Sequence, residues 1–275
     1  MSRQCQLHID VTRVGLALMA VLALPATPRE YALEYGVGLP EQSGYLQTPA
    51  GGMPGTASSE RPTLAEIDLD GGRYRWLGAR VDFGPNGETA PAPPFRLRLH
   101  ARYRTIGDAA TSTVAEAFTI RGGVFEGGDS VRSEVAFDGL TLALTAAFDL
   151  RAGLSAELGP QIGWTAFDFV MRGERHRSDR AYHVTTFGLV GAISRELGNG
   201  WHIGARLDAS PAIEGTGSRF AAETRLGRDL TRNLNVALGA SVEEFRYDDA
   251  HKQDLPNRLK VTRRVVPNLV ARVRF

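Results

Sequence analysis

From about residue 30 onward, apolar and polar side chains alternate with period two, the pattern of strands that present one apolar and one polar face. The clearest run is FRLRLHARYR at 95–104. Phe95, Leu97, Leu99, Ala101 and Tyr103 share one face, and Arg96, Arg98, His100, Arg102 and Arg104 share the other. The same spacing groups Leu33, Tyr35 and Val37, then Leu77, Ala79 and Val81, then Leu154, Ala156, Leu158, Ile162 and Trp164. Later runs group Phe187, Leu189 and Ile193, then Ile203, Ala205 and Leu207, then Leu234, Val236, Leu238, Ala240 and Val242. The pattern predicts ten strands, near 30–47, 66–83, 94–106, 130–149, 152–168, 182–196, 200–210, 217–229, 233–247 and 260–275. The fourth run changes parity at Asp138-Gly139, from Val131, Val135 and Phe137 to Leu140, Leu142, Leu144 and Phe148, which reads as a β-bulge. If Asp138-Gly139 is a hairpin turn instead and 113–121 also crosses, the count is twelve; eight is the lower alternative.

Alternation alone fits a soluble sandwich as well as a membrane barrel. Three features favour the barrel. The runs are about ten residues or longer, the length that crosses a bilayer at a tilt. Aromatics, including Tyr31, Trp76, Phe83, Tyr103, Trp164, Phe167, Phe169, Trp201, Phe245, Tyr247 and Phe275, gather toward run ends, as interface girdles do. Short connections alternate with long polar ones near 48–63, 106–130, 170–181, 210–217 and 248–259. The expected fold is all-β, an antiparallel up-and-down transmembrane β-barrel of about ten strands over 27–275, with short turns and both termini on the periplasmic side.

Residues 1–26 read as a secretory signal peptide: Arg3 and Arg13 precede the apolar stretch 14–24 (VGLALMAVLAL), which is too short for a spanning helix. Composition adds little to this picture. The 275 residues are 43% hydrophobic and 23% charged, and 32 basic residues against 31 acidic ones leave no excess for nucleic-acid binding. One cysteine, Cys5, excludes a disulfide framework and a cysteine metal site, no cluster has metal-ligand spacing, and no cofactor is expected.

The chain ends on alternating Leu269, Ala271, Val273 and a terminal Phe275. With the apolar leader and the amphipathic runs, this ending resembles the small outer-membrane β-barrel proteins of Gram-negative bacteria, the OmpA/OmpX-like class. The resemblance implies outer-membrane localisation, a monomer, contact with outer-membrane lipid and lipopolysaccharide, and recognition of the last strand by the barrel-assembly machinery. The segment TPAGGMPGT at 48–56 is similar to a loop of uncharacterised barrels of this class and implies no activity.

Parity places Arg80, Arg96, Arg98, His100, Arg102, Arg104, Arg132, Arg206, Arg225, Arg272 and Arg274 in the lumen, opposed by Glu34, Asp82, Glu134, Glu157, Asp208, Glu223 and Glu243. Salt-bridged together they would fill the narrow interior of ten strands; left open they would line a small anion-preferring pore. A basic outer rim is expected from Arg172, Arg175, Arg177 and Arg180 together with Arg263 and Arg264, since guanidinium suits lipopolysaccharide phosphate. Some barrels of this size are enzymes. The Ser-His segment H-x-S-N of lipid-modifying barrels is absent, and the omptin-like candidates Asp248, Asp249 and His251 fall in a single loop. The sequence therefore favours a structural or surface-interaction role, then a narrow pore, then a rim hydrolase.

Overall fold

The computed structural model describes residues 28–48, 62–83, 95–151, 153–211, 217–249 and 257–275. Twelve strands are present among them: β1 Pro28–Gln47, β2 Arg73–Phe83, β3 Arg96–Thr113, β4 Phe118–Ile120, β5 Gly123–Phe125, β6 Ser130–Arg151, β7 Leu154–Arg172, β8 Arg177–Gly198, β9 Trp201–Ser210, β10 Gly217–Asp229, β11 Leu234–Asp248 and β12 Arg258–Arg274. Ten of them close an antiparallel barrel in the order β1-β12-β11-β10-β9-β8-β7-β6-β3-β2, and β4 and β5 form a separate hairpin. The ten-strand count holds, and neither alternative does. The seam between first and last strands is sealed by paired backbone bonds, the Phe275 amide donating to the Tyr31 carbonyl (2.9 Å) and the Tyr31 amide to the Phe275 carbonyl (3.3 Å).

The outer wall carries exposed apolar side chains all the way round: Leu33 on β1, Leu77 on β2, Leu97 on β3, Leu144 on β6, Leu158 and Trp164 on β7, Phe187 and Leu189 on β8, Ile203 on β9, Leu226 on β10, Leu238 on β11 and Leu269 on β12. Leu158 and Leu189 are 59% and 58% exposed. A continuous apolar belt of this kind is a lipid-facing surface, since soluble monomers rarely expose apolar patches beyond a few hundred Å².

Several strands are far longer than a crossing needs. β6 and β8 have 22 residues and β7 has 19, against about ten for a tilted crossing. The surplus lies at the end carrying the long connections, called the loop end here, and there the two faces exchange character. On β6 the inward positions change from Thr145, Ala143 and Thr141 to Phe137, Val135 and Val131, while the outward ones change from Leu144 and Leu142 to Glu134 and Arg132. On β11 the inward row goes from Glu243 to Phe245 and the outward row from Val242 to Glu244 and Arg246. Where the wall leaves lipid it meets water, so its outside becomes polar, and the enclosed interior can then be an ordinary apolar core.

This inversion corrects the bulge expected at Asp138-Gly139. β6 pairs without a register shift on both sides there, Thr105 with Asp138 and Arg104 with Gly139 on β3, Asp138 with Ala166 and Gly139 with Thr165 on β7. Val131, Val135 and Phe137 are buried in the lumen. Consequently Arg132 and Glu134 point outward and pair with each other at 2.9 Å, Arg132 being 61% exposed. Apart from shifts close to strand ends at Pro28/Glu30, Asp149/Arg151 and Glu196/Gly198, the register shift is on β12, opposite Gly38/Pro40 of β1 and Gly239/Ser241 of β11. It turns Val265 and Arg263 inward, while Leu269 and Val273 remain on the lipid face.

Two expected loops shorten. The connection near 170–181 is only residues 173–176, closed by the Gly173 amide donating to the His176 carbonyl at 2.9 Å, because β7 and β8 continue past the membrane as paired strands. The connection near 106–130 is mostly strand plus the β4–β5 hairpin, which turns on Arg121 and Gly122, both at positive φ (49° and 78°). The second strand begins at Arg73, not 66; before it, residues 64–68 form a turn. That turn is capped reciprocally: Glu66 accepts from the Thr63 amide (2.6 Å) and hydroxyl (2.7 Å), and the Glu66 amide donates to Thr63 Oγ1 (3.2 Å). The leader 1–26, most of 48–63 and His251 lie outside the described residues.

Candidate functional site

The lumen has three levels. At the end bearing the short turns, it opens as a cavity of about 990 Å³. In the middle, arginines and carboxylates bridge it. At the loop end it is filled by apolar side chains.

The middle level is built by strands on opposite walls. Arg102 on β3 reaches Glu223 on β10, five strands away in the ring, at 3.0 Å. Glu223 also receives Arg225 at 2.6 Å, and Arg225 continues to Glu34 on β1 at 3.2 Å, which Arg272 of β12 binds as well. Arg102 and Arg225 stack on the Trp76 ring, their guanidinium carbons 4.5 and 4.8 Å from its centroid. Closer to the loop end, Glu243 on β11 gathers Arg104 at 2.8 Å, Arg263 at 3.3 Å and Arg219 at 3.5 Å. Toward the open cavity, Arg98 binds Asp82 at 3.1 Å and also Glu157, and Arg206 binds Asp208 at 3.0 Å. At the mouth, Arg96 meets Asp149 at 2.9 Å with both side chains well exposed, and Arg274 meets Asp229 at 2.5 Å. Removing one partner from a buried pair costs about 3–5 kcal/mol, because the survivor is left charged and unpaired.

His100 lines the cavity wall. Its Nε2 lies 3.1 Å from Glu157 and 3.3 Å from the Thr145 hydroxyl. A nucleophile–base–carboxylate relay requires the two partners on different ring nitrogens. Here both contacts fall on Nε2, so the arrangement is a hydrogen-bonded knot that ties β3, β6 and β7 together. His202 is similarly structural: it packs against Gly227, where a Cβ would lie 2.2 Å from Nε2. No group of three or more His, Cys, Asp or Glu among the described residues could hold a metal ion.

The apolar level crosses the whole bore. Phe137 on β6 meets Phe167 on β7 (centroids 4.5 Å apart) and Phe245 on β11 (6.2 Å), while Tyr182 on β8 meets Tyr247 on β11 at 4.8 Å. Arg263 lies over the Phe137 ring at 3.6 Å. Leu64, Ile67 and Leu69 from the capped turn, and Phe118, Ile120 and Phe125 from the β4–β5 hairpin, belong to the same buried cluster. The amide and hydroxyl of Thr63 hold the Glu66 carboxyl below its ordinary value of 4.5.

Of the expected lumen residues, Arg96, Arg98, His100, Arg102, Arg104, Glu157, Arg206, Asp208, Glu223, Arg225 and Glu243 all face inward, and Arg132 and Glu134 do not. Arg219, which shares parity with Glu223, also faces inward, as does Arg263, which the β12 bulge turns in and which no local parity predicts. Trp76, Phe167, Phe169 and Phe245 are interior residues; they do not belong to interface girdles. The expected basic rim also divides. Arg175 and Arg177 are exposed beside Glu126 (3.4 Å) and Asp179 (3.6 Å), whereas Arg180 lies against Tyr182 and Arg172 is half-buried. Arg264 is exposed on β12, four strands around the ring from β8, and Arg263 is inside. Asp248 pairs with Arg258 at 2.9 Å, and buried Asp249 accepts from the Asn257 amide (2.6 Å) and side chain (2.8 Å).

No family model and no curated protein sequence matches the chain. Among solved structures it is similar to the outer membrane protease OmpT of Escherichia coli (9% identity, 92% of this chain and 99% of that one, TM-score 0.48). It is also similar to Ail, the attachment invasion locus protein of Yersinia pestis (12%, 90% and 100%, 0.37), and to the transport unit of the autotransporter AIDA-I of E. coli (8%, 96% and 97%, 0.40). The chain is similar in fold to Gram-negative outer-membrane β-barrel proteins.

Proposed function

We propose that this protein is a monomeric outer-membrane barrel whose lumen does not conduct and whose work is done at its loop-end surface, in a structural or surface-interaction role. The observation that carries this reading is the apolar level: Phe137 and Phe245, from opposite walls, touch across the bore. Below them the Glu243 and Glu223 arginine clusters bridge the same bore a second time. An ion entering the cavity at the turn end meets first a cross-linked charge layer and then a hydrocarbon one. The partners in this reading are outer-membrane lipid and lipopolysaccharide around the wall and rim, with the C-terminal strand, through Leu269, Ala271, Val273 and Phe275, as the assembly signal. Planar-bilayer recording of the full-length refolded protein tests it. Absence of stable unitary conductance is expected; reproducible channels would replace it with the narrow-pore reading.

A further inference from the structure

A second, small void lies between the two bridging levels of the lumen. Its volume is about 20 Å³, and Arg102, Arg104, Arg219 and Arg263 line it. A cavity admits one water-sized particle from about 10–15 Å³ of such volume. The carboxylates that line it are Asp208, Glu223 and Glu243. Four cations thus face three anions. The imbalance is larger than that count, because Asp208 is also bound by Arg206 and Glu223 by Arg225, neither of which lines the void. Glu243 alone serves three guanidinium groups, Arg104, Arg219 and Arg263.

The side chains of Arg219 and Arg263 are 7% and 3% exposed. Arg219 Nε and Arg263 Nη2 are buried without a hydrogen-bond partner among the described residues. A buried guanidinium donor left unmet costs on the order of a few kcal/mol, and an uncompensated buried charge costs more. Water could accept from such donors but would leave the charge in place; a monovalent anion removes both deficits. Access exists, since Arg102, Asp208, Arg219 and Glu223 line this void and the large turn-end cavity alike.

We propose that this void is a binding site for a single halide-sized monovalent anion, chloride under ordinary conditions, held by Arg219, Arg263 and their two arginine neighbours. Occupied, it neutralises the cluster that ties β3, β10, β11 and β12 together, so the ion is a structural counter-charge at the centre of the barrel.

The test uses the full-length refolded protein at constant ionic strength in sodium chloride, sodium bromide or sodium gluconate, whose anion is too large for the void. Thermal unfolding should rise with chloride and bromide concentration as mass action requires and stay flat in gluconate. Crystals grown in bromide should give one anomalous peak within hydrogen-bonding reach of Arg219 and Arg263. Arg219→Gln removes one of the four lining cations together with its unmet Nε donor, and should weaken halide affinity roughly tenfold or more. Arg132→Gln, on the outer wall, should leave it unchanged. A void holding only water in bromide crystals, or identical melting in the three salts, overturns the proposal. The diffraction measurement on the unmodified protein decides the matter even if Arg219→Gln does not refold.

Discussion

Phe137 on β6 and Phe245 on β11 stand five strands apart in a ring of ten, yet their rings meet edge-to-face with centroids 6.2 Å apart. Two side chains on opposite walls that touch bridge the bore, and the buried apolar cluster around them fills it. Truncating either to alanine should destabilise the barrel by about 3–5 kcal/mol, the usual cost of a large cavity in a packed core. The double variant should lose less than twice that amount, because the two rings share one contact. It should still show no unitary conductance, because the Glu243 and Glu223 arginine clusters continue to bridge the bore, as the proposed closed lumen requires. Urea unfolding and bilayer recording of the same preparations check both statements.

Trp76 occupies the space that a side chain at Gly36 would need: a Cβ built there lies 2.1 Å from the indole Nε1. Glycine on β1 is what lets the indole lie flat on the inner wall and receive Arg102 and Arg225 on its face. Gly36→Ala should therefore displace Trp76 and cost about 1–3 kcal/mol, as overpacking does. Gly107→Ala, where nothing lies within 4 Å, should be neutral within about 0.5 kcal/mol. A blue or red shift of tryptophan emission in the first variant alone would locate the disturbance at Trp76.

Glu243→Gln strips three arginines of their shared carboxylate, and a loss of about 3–5 kcal/mol is expected. Arg132→Ala with Glu134→Ala removes an ion pair of the same chemistry on the wet outer wall, where the expected change is under about 1 kcal/mol. Denaturant midpoints of the two variants compare an inner with an outer position directly.

That contrast also marks where the sequence stops being readable. Inside the membrane, lipid outside and charge inside make parity unambiguous, and Arg98, Arg102, Glu157 and Glu223, expected inside from spacing alone, line the cavity. Beyond the membrane the same strand continues in the same register while its two faces exchange character. Val131, Val135 and Phe137 then look like a lipid face displaced by one residue, and a bulge is the natural inference. Alternation separates two faces but does not say what each one meets. Arg263 is lost for the opposite reason: here the register does shift, between Val265 and Asn268, and its sign in the sequence is Pro267, which cannot donate to a ladder, not the alternation of apolar residues. Contacts across the bore, such as Arg104 with Glu243, depend on ring closure and have no local signal.

Arg175 and Arg177 are exposed at the tip of the β7–β8 hairpin, and the proposed lipopolysaccharide contact rests on their guanidinium groups, whereas Arg264 stands well round the ring from them. Arg175→Ala with Arg177→Ala should lower lipopolysaccharide retention on the purified barrel severalfold at low salt, with the difference shrinking as salt rises. Arg263→Ala should act on stability, because its side chain is inside, and not on retention. Co-purified lipopolysaccharide, quantified at two ionic strengths, separates these outcomes.

The capped segment at residues 63–69 supplies Leu64, Ile67 and Leu69 to the apolar seal, and its cap depends on an ionised Glu66. Hydrogen bonds from Thr63 lower the folded-state pKa of Glu66 below 4.5, so ionisation favours the ordered turn. Its contribution is fully present above about pH 4.5, the unfolded value, and is lost as pH falls through the lower folded value. Because the carboxylate is solvent-exposed, the effect is small and local. It should appear as faster hydrogen exchange, corrected for the intrinsic pH dependence, at the Asp68 and Leu69 amides, which donate to Ala65 and Leu64 at 3.1 and 2.8 Å. Glu66→Gln, which keeps an acceptor but cannot titrate, should flatten that pH dependence. If the turn opened to the same extent with Glu66 ionised and protonated, the cap would not be what holds Leu64, Ile67 and Leu69 in the bore.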